Sequence, residues 1–205
     1  MTLTTNKFTA VLFDLGRVLI NIDFDAFPRS LGIVPAEVRP EDRRGVGRLV
    51  VGYETGRLTS DEFFERLGLF FESRFNREQL VGAWNAIIRE ENSAIVPTVE
   101  SVQDRYLTAV LSNTSPTHIQ KALETSTILK RFSKRYLSFQ IGFVKPSPEI
   151  FSYVIRDLSV EPSAVVLIDD IAENVEAAAR CGMVGILFTD VPKLQHDLLN
   201  LGILM

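Results

Sequence analysis

The sequence has one cysteine, Cys181, and two histidines, His118 and His196, among 205 residues. A lone cysteine excludes an internal disulfide and agrees with a cytoplasmic location. No run approaches about 18 consecutive apolar residues, so no transmembrane helix and no membrane partner are expected. The polar start, Met1 to Lys7, has no apolar segment behind it of the kind a secretory signal needs. Positive charge is not in excess. The 22 Lys and Arg against 26 Asp and Glu give a formal charge of −4, which speaks against a nucleic-acid-binding face. A small phosphorylated ligand remains compatible, because a few local cations suffice for it. Internal repeats and low-complexity tracts are also lacking. What is left is an ordinary globular composition, 46% hydrophobic and 23% charged, enough for one core or a core with a small insert. Nothing in it sets an oligomeric state.

Short apolar runs punctuate the chain, and each ends in polar residues. Ala10–Phe13 runs into Asp14, Thr108–Leu111 into Ser112-Asn113-Thr114, and Val165–Ile168 into Asp169-Asp170. Tyr136–Phe139 leads towards Gly142 and Lys145, and Val184–Phe188 ends at Thr189-Asp190. Runs this short and this rich in β-branched residues predict buried strands. Helical patterns lie between them, at 97–105, 117–123, after Ser147-Pro148-Glu149, and at 171–181, which Gly182 ends. Strands alternating with helices predict an α/β fold: a Rossmann-like parallel sheet with helices on both faces. Residues 24–96 read differently, as an all-helical insert with no convincing strand. Thr59-Ser60-Asp61-Glu62 and Asn76 with Gln79 have the spacing of capping boxes that open helices. The expected division is therefore 1–23 and 97–205 for the core and 24–96 for the insert.

In open α/β sheets, ligands sit beyond the carboxyl ends of the strands. Asp14, Ser112-Asn113, Lys145 and Asp169-Asp170 all fall at such ends, which makes them one candidate site. A carboxylate attacking a phosphate monoester brings two anions together, and at about 4 Å in an effective dielectric near 20 they repel by about 4 kcal/mol. A divalent cation relieves that repulsion. Asp14, Asp170 and a backbone carbonyl near Gly16 offer the hard oxygen ligands that Mg2+ takes. Lys145 and the Ser112 hydroxyl would answer the phosphoryl oxygens. Adjacent acids such as Asp169-Asp170 repel each other unless a cation or hydrogen bonds compensate. The isolated histidines read as packing or surface residues, Trp84 and Phe63-Phe64 as the insert's core, and Arg43-Arg44 as a solvated face.

These residues carry a family resemblance. Phe13-Asp14-Leu15-Gly16-Arg17-Val18-Leu19, Leu111-Ser112-Asn113-Thr114, Lys145-Pro146 and Ile168-Asp169-Asp170-Ile171-Ala172-Glu173-Asn174 resemble, in order, the four motifs of the haloacid dehalogenase-like superfamily. The insert, with Tyr53-Glu54-Thr55-Gly56-Arg57-Leu58-Thr59, resembles that family's helical cap, in the flavour of the bacterial sugar-phosphate phosphatase branch. The resemblance implies a magnesium-dependent phosphatase acting on a small phosphorylated metabolite. Asp14 would form an aspartyl phosphate, with Lys145 assisting. Asp14, the Gly16 carbonyl and Asp170 would hold the metal, with Asp169 beside them. Ser112, Asn113 and Lys145 would hold phosphate, and the cap would close over the substrate.

Two positions depart from the pattern. Many phosphatases of the family carry an acid where this chain has Gly16, and a small or neutral polar residue where it has Arg17. Glycine cannot move a proton. Arg17 would either grip substrate phosphate or pair with an acid. Four readings therefore stand beside the hydrolase: a catalytically weak or inactive phosphate-ligand or protein-binding member of the fold, a phosphotransferase or mutase, a dehalogenase proper, and a receiver-type phosphorylation switch. The adjacent acids argue for metal and against the dehalogenase. The order of the motifs and the helical insert argue against the receiver.

Overall fold

The computed structural model describes residues 7–34 and 40–205, residues 40–43 by backbone alone. In chain order the elements are β1 (Ala10–Phe13), β2 (Ile20–Ile22), α1 (Ala26–Ser30), α2 (Pro40–Glu54), α3 (Ser60–Phe70), α4 (Arg77–Asn85) and β3 (Ile88–Glu91). There follow α5 (Val96–Gln103), β4 (Leu107–Ser112), α6 (Pro116–Thr125), α7 (Ile128–Arg131), β5 (Lys134–Leu137) and α8 (Ser138–Ile141). The chain ends with α9 (Pro148–Leu158), β6 (Val165–Asp169), α10 (Ala172–Arg180), β7 (Val184–Leu187) and α11 (Val191–Asn200). Among the described residues no helix is long and apolar enough to cross a membrane.

Five strands form one parallel sheet in the order β5-β4-β1-β6-β7. Every residue of β1 and β6 is buried, because helices cover both faces and a two-sided strand must be apolar throughout. Val11, Phe13, Val110, Val166 and Ile168 face one apolar cluster, which also holds Val99, Ile119 and Leu198 from α5, α6 and α11. Ala10, Leu12, Ala109, Leu111 and Leu167 face the other, against Ile150, Phe151, Val154, Ala177 and Ala178 of α9 and α10. The fold is thus the α/β architecture expected of the sequence.

The register decides where the polar ends meet. Phe13 lies beside Val110 of β4 and Ile168 of β6. One residue further along, Asp14 comes level with Leu111 and Asp169 on its two neighbouring strands.

A third apolar cluster belongs to the helices after β2. Tyr53, Phe63, Phe64, Leu67, Leu80 and Trp84 are buried together, with the Tyr53 and Phe63 rings stacked at 4.3 Å. Both expected capping boxes form: the Glu62 N–H donates to Thr59 Oγ1 at 3.2 Å and the Gln79 N–H to Asn76 Oδ1 at 2.9 Å.

Three local expectations are corrected. The region 24–96 is not without a strand, because β3 pairs antiparallel with β2 in a two-stranded ribbon. Arg89 and Glu90 sit on its solvent side, which is why the segment lacks an apolar signature. The strand expected at 136–139 ends at Leu137. Ser138 is buried, and its hydroxyl accepts from the Thr114 N–H at 3.0 Å and donates to the Thr114 carbonyl at 3.2 Å. A side chain thereby takes over the pairing a strand backbone would make. Ser147 stands at the N-cap of α9, but its hydroxyl donates to the Glu149 carboxylate and makes no cap bond.

Candidate active site

Lys145 is the centre of the site. Its Nζ is buried and donates to Asp14 Oδ1 at 2.8 Å, to the Leu111 carbonyl at 2.8 Å and to Asp169 Oδ2 at 2.5 Å. These are the three residues that the sheet register sets level on adjacent strands. The loop that carries Lys145 is fastened to β4 by Asn113, whose Oδ1 accepts the Lys145 N–H at 2.7 Å while its Nδ2 donates to the Lys145 carbonyl at 2.8 Å. The Asn113 amide thus positions Lys145 from the cavity lining, and its second Nδ2 hydrogen is not used by either bond.

Asp169 is fully buried and turned inward. Its Oδ1 accepts from the Ile171 N–H and from Asn174 Nδ2, each at 2.9 Å, and its Oδ2 takes Lys145. Asn174, in the first turn of α10, closes the Ile168–Asn174 stretch that resembles the fourth motif, although sequence alone assigned its side chain no role. Asp170 is partly exposed and faces Arg17, whose Nη1 lies 3.5 Å from its Oδ2. Arg17 is itself exposed, has a left-handed backbone (φ 59°) and places its guanidinium 5.4 Å from the Phe24 ring centre. Ser112 is buried in the wall of the same cavity.

The bridge that follows β1 uses the Leu15 carbonyl and the Arg17 N–H, bonded to Ile20 at 2.9 and 2.7 Å. Among the described residues no hydrogen bond uses the Gly16 carbonyl, which leaves it open as a ligand.

The three carboxylates of Asp14, Asp169 and Asp170 outnumber the two cations beside them, Lys145 and Arg17, and leave the pocket net negative. Oxygen atoms of Asp14, Asp169 and Asp170 all lie within 4.8 Å of one another. Burial pushes the Asp14 carboxyl up to about 6; Lys145 opposes that shift and Asp169 adds to it. Burial, then the Asp169 charge, also raises Asp170, against the pull of Arg17. Burial alone would lower Lys145, but the charges of Asp14 and Asp169 outweigh it and hold the ammonium above its ordinary value. The donor set of hard oxygens and the uncompensated charge fit a divalent cation.

A cavity of about 410 Å³ opens above these groups. Its floor is Asp14, Gly16, Ser112, Lys145 and Asp170, and its far wall is Val50, Glu54, Trp84 and Ile87 from the helical layer, with Ile22 and Phe24 beside them. Trp84 thus does more than fill the insert's core. Its indole stacks on the His118 ring at 4.4 Å and 7°, and its carbonyl accepts from His118 Nε2 at 2.9 Å. His118 is buried, as a packing histidine, while His196 is exposed. Arg44 is exposed as expected, and the side chain of Arg43 lies outside the described residues.

Comparison with known proteins agrees with this geometry. Residues 8–182 match the family model described as haloacid dehalogenase-like hydrolase. D-ribitol-5-phosphate phosphatase of Bacteroides thetaiotaomicron is 29% identical over 181 residues, covering 84% of this chain and 87% of that protein. A crystal structure of a HAD family enzyme from Bacteroides thetaiotaomicron, a magnesium complex, superimposes with a TM-score of 0.80 at 25% identity, covering 92% of this chain and 98% of that one. A HAD-like family hydrolase of Porphyromonas gingivalis, at 24% identity and a TM-score of 0.79 over 94% of this chain and 98% of its own, shares the fold. The chain belongs to the haloacid dehalogenase-like hydrolases.

Proposed function

We propose that this hydrolase is a magnesium-dependent phosphatase of a small phosphorylated metabolite, with a sugar or polyol phosphate the first candidate. The observation that carries the reading is the meeting of Asp14, Lys145 and the Asp169-Asp170 pair at the floor of one cavity. The similarity to a ribitol-phosphate phosphatase and to a magnesium-bound family member supports it. In this reading the core is 1–23 with 97–205, and 24–96 is a cap whose wall faces the substrate.

Asp14 is the nucleophile, and its Oδ1 is already held in place by Lys145. Asp14, Asp170 and the Gly16 carbonyl would hold the metal. Asp169 has its oxygens committed to Lys145, Ile171 and Asn174, so its part is to orient Lys145. When bound, Mg2+ offsets the repulsion between nucleophile and phosphate and polarises a phosphoryl oxygen. The Ser112 hydroxyl holds a phosphoryl oxygen. Lys145, whose three N–H donors go to Asp14, Leu111 and Asp169, offsets the phosphoryl charge from beside Asp14, and Arg17 at the cavity mouth adds a cation to the anionic group. Asp14 attacks phosphorus, the alcohol leaves, and water cleaves the aspartyl phosphate. The helical wall keeps bulk water from the first step.

The test is phosphate release from ribitol 5-phosphate, other sugar phosphates and p-nitrophenyl phosphate, with and without Mg2+, by wild type and Asp14→Asn. Metal-dependent release that falls by at least about 1000-fold in the variant is expected. Equal turnover by both proteins rules out Asp14 as nucleophile. Gly16 favours one other reading, a member that binds phosphate ligands without hydrolysing them. Full magnesium and phosphate affinity with no turnover on any ester would select that reading.

A further inference from the structure

When a carboxylate displaces an alcohol from phosphorus, the departing oxygen needs a proton unless the alcohol is acidic. Gly16 has none to give. A side chain there would also crowd Ile22, since a Cβ on Gly16 would stand 3.3 Å from Cγ1 and 3.7 Å from Cδ1 of Ile22, which would have to shift by a few tenths of an ångström. Among the described residues lining the cavity, Asp14, Glu54 and Asp170 carry carboxyls. Asp14 and Asp170 have the roles given above. Glu54 has none, and it enters from the opposite wall, at the last residue of α2.

That last turn is held firmly. Its neighbour Tyr53 is fully buried and donates to Thr117 Oγ1 of α6 at 3.3 Å. Thr55 Oγ1 donates to the Val51 carbonyl at 2.6 Å, and Gly56 lies against the Phe139 backbone. Glu54 is thus presented to the cavity by a segment packed directly on the core.

We propose that Glu54 is the proton donor to the leaving oxygen, supplying from the helical layer the acid that the sheet end lacks; this rests on the phosphatase reading above. As an Asp14 oxygen bonds to phosphorus, the bond from phosphorus to the ester oxygen breaks. The electron pair stays on that oxygen, and the Glu54 proton moves to it, giving a neutral alcohol and the aspartyl phosphate. The Glu54 carboxylate then takes a proton from the water that attacks phosphorus. The bond between phosphorus and Asp14 breaks, which restores the Asp14 carboxylate and the Glu54 acid and releases phosphate. Burial, and next the Asp14 charge, push the Glu54 carboxyl up to about 7, close to the value that suits a group giving and taking a proton at neutral pH. The other charged or titratable groups around the same cavity are Asp14, Arg17, His118, Lys145 and Asp170.

The experiment compares wild type, Glu54→Gln and Glu54→Asp on aryl phosphates of graded leaving-group acidity and on an alkyl phosphate, at saturating Mg2+. The value of kcat/KM reads only the steps up to loss of the alcohol. Glu54→Gln is expected to keep kcat/KM on p-nitrophenyl phosphate within about 3-fold and to lose about 100-fold or more on the alkyl ester. On p-nitrophenyl phosphate it should also show a burst of nitrophenolate followed by slow turnover, because the same side chain serves the water step. Glu54→Asp should recover part of the alkyl activity. Magnesium affinity by calorimetry should match wild type in both variants. An equal loss across the series, or no loss on the alkyl ester, overturns the role of Glu54. If wild type releases no phosphate from any ester, the phosphatase reading itself fails, and if Asp14→Asn keeps its turnover, Asp14 is not the nucleophile; both results are independent of any Glu54 variant.

Discussion

Lys145 holds the balance of buried charge, since among the described residues it is the one cation bonded to both Asp14 and Asp169. Lys145→Met leaves two buried carboxylates without their cation, Asp169 keeping only its bonds from Ile171 and Asn174, and breaking a buried pair in this way costs about 3–5 kcal/mol. Urea unfolding at neutral pH without metal should show that loss. The sign of its pH dependence is fixed. Unpaired buried carboxylates have raised folded-state pKa values, so the folded variant binds more protons than the unfolded one, and its stability should recover as pH falls. A loss that does not change with pH would mean that lost packing, not charge, dominates. Arg17 offers a second test. A left-handed backbone costs a residue with a side chain on the order of 1 kcal/mol, while its exposed ion pair to Asp170 contributes about 0–1 kcal/mol. Arg17→Gly should therefore be as stable as wild type or more so, yet raise KM several-fold. A clear drop in the unfolding midpoint would show that the ion pair outweighs the strain. The residues with the sharpest chemistry were legible in the sequence because strand-end acids and a lysine before proline are local patterns. Asn113 was legible as a member of the site, read from its motif as a phosphate contact. That it serves the Lys145 loop depends on a partner far along the chain.

At the scale of elements, the seam between α4 and α6 is built from one stacked pair. A carbonyl only accepts, so His118 Nε2 must carry a proton, and burial lowers the imidazole to about 4, the Trp84 carbonyl opposing only in part. The folded value lies below the ordinary 6.5, so this contribution is complete above about pH 6.5 and is lost as pH falls towards 4. At about 1.4 kcal/mol per pKa unit, the residue should cost wild type roughly 2 kcal/mol between pH 7 and pH 5. His118→Phe, which keeps a ring against Trp84, should not show that loss. Asp14, raised to about 6, works in the opposite sense over the same window, so the wild-type-minus-variant difference in denaturation midpoint is the quantity to read. An identical pH slope in both proteins would refute the assignment. Gly56 marks a second seam. It has φ 68°, and a Cβ there would stand 2.2 Å from the Phe139 carbonyl oxygen. Gly56→Ala should lose about 1–3 kcal/mol in thermal unfolding and raise KM by shifting the turn that carries Glu54. An unchanged KM would separate the turn from the site. Capping boxes and the buried strands were legible here because their signals span a few residues. The ribbon strand β3 was not, since Ile88-Arg89-Glu90-Glu91 buries only one edge of itself. Ser138 bent the chain out of β5 through a bond to Thr114 that no local pattern announces.

For the molecule as a whole, the excess of carboxylate at the sheet end predicts that a divalent ion stabilises the folded chain. Mg2+ at about 100 times its dissociation constant should add about 2.7 kcal/mol, read as a rise in melting temperature over an EDTA control. Asp170→Asn should abolish the rise. A rise that survives in that variant would place the ion elsewhere. The α/β class and the order of the four strand-end segments could be read before any coordinates, because each segment lies at the carboxyl end of its own strand and parallel pairing sends all those ends the same way. The shape of the cavity could not, because its far wall comes from helices whose angle to the sheet is set by packing on α6 and α8. The connection between the two parts is simple. β2 leaves the sheet region and β3 returns beside it, with the Asp23 N–H bonded to the Ile87 carbonyl at 3.0 Å. Everything between those two residues hangs from a doubled cord, like a pendant. A pendant can be lengthened or recut without rethreading the strands, so a lineage that keeps the turn bearing Glu54 can hold the reacting groups constant while it rewrites what they are shown.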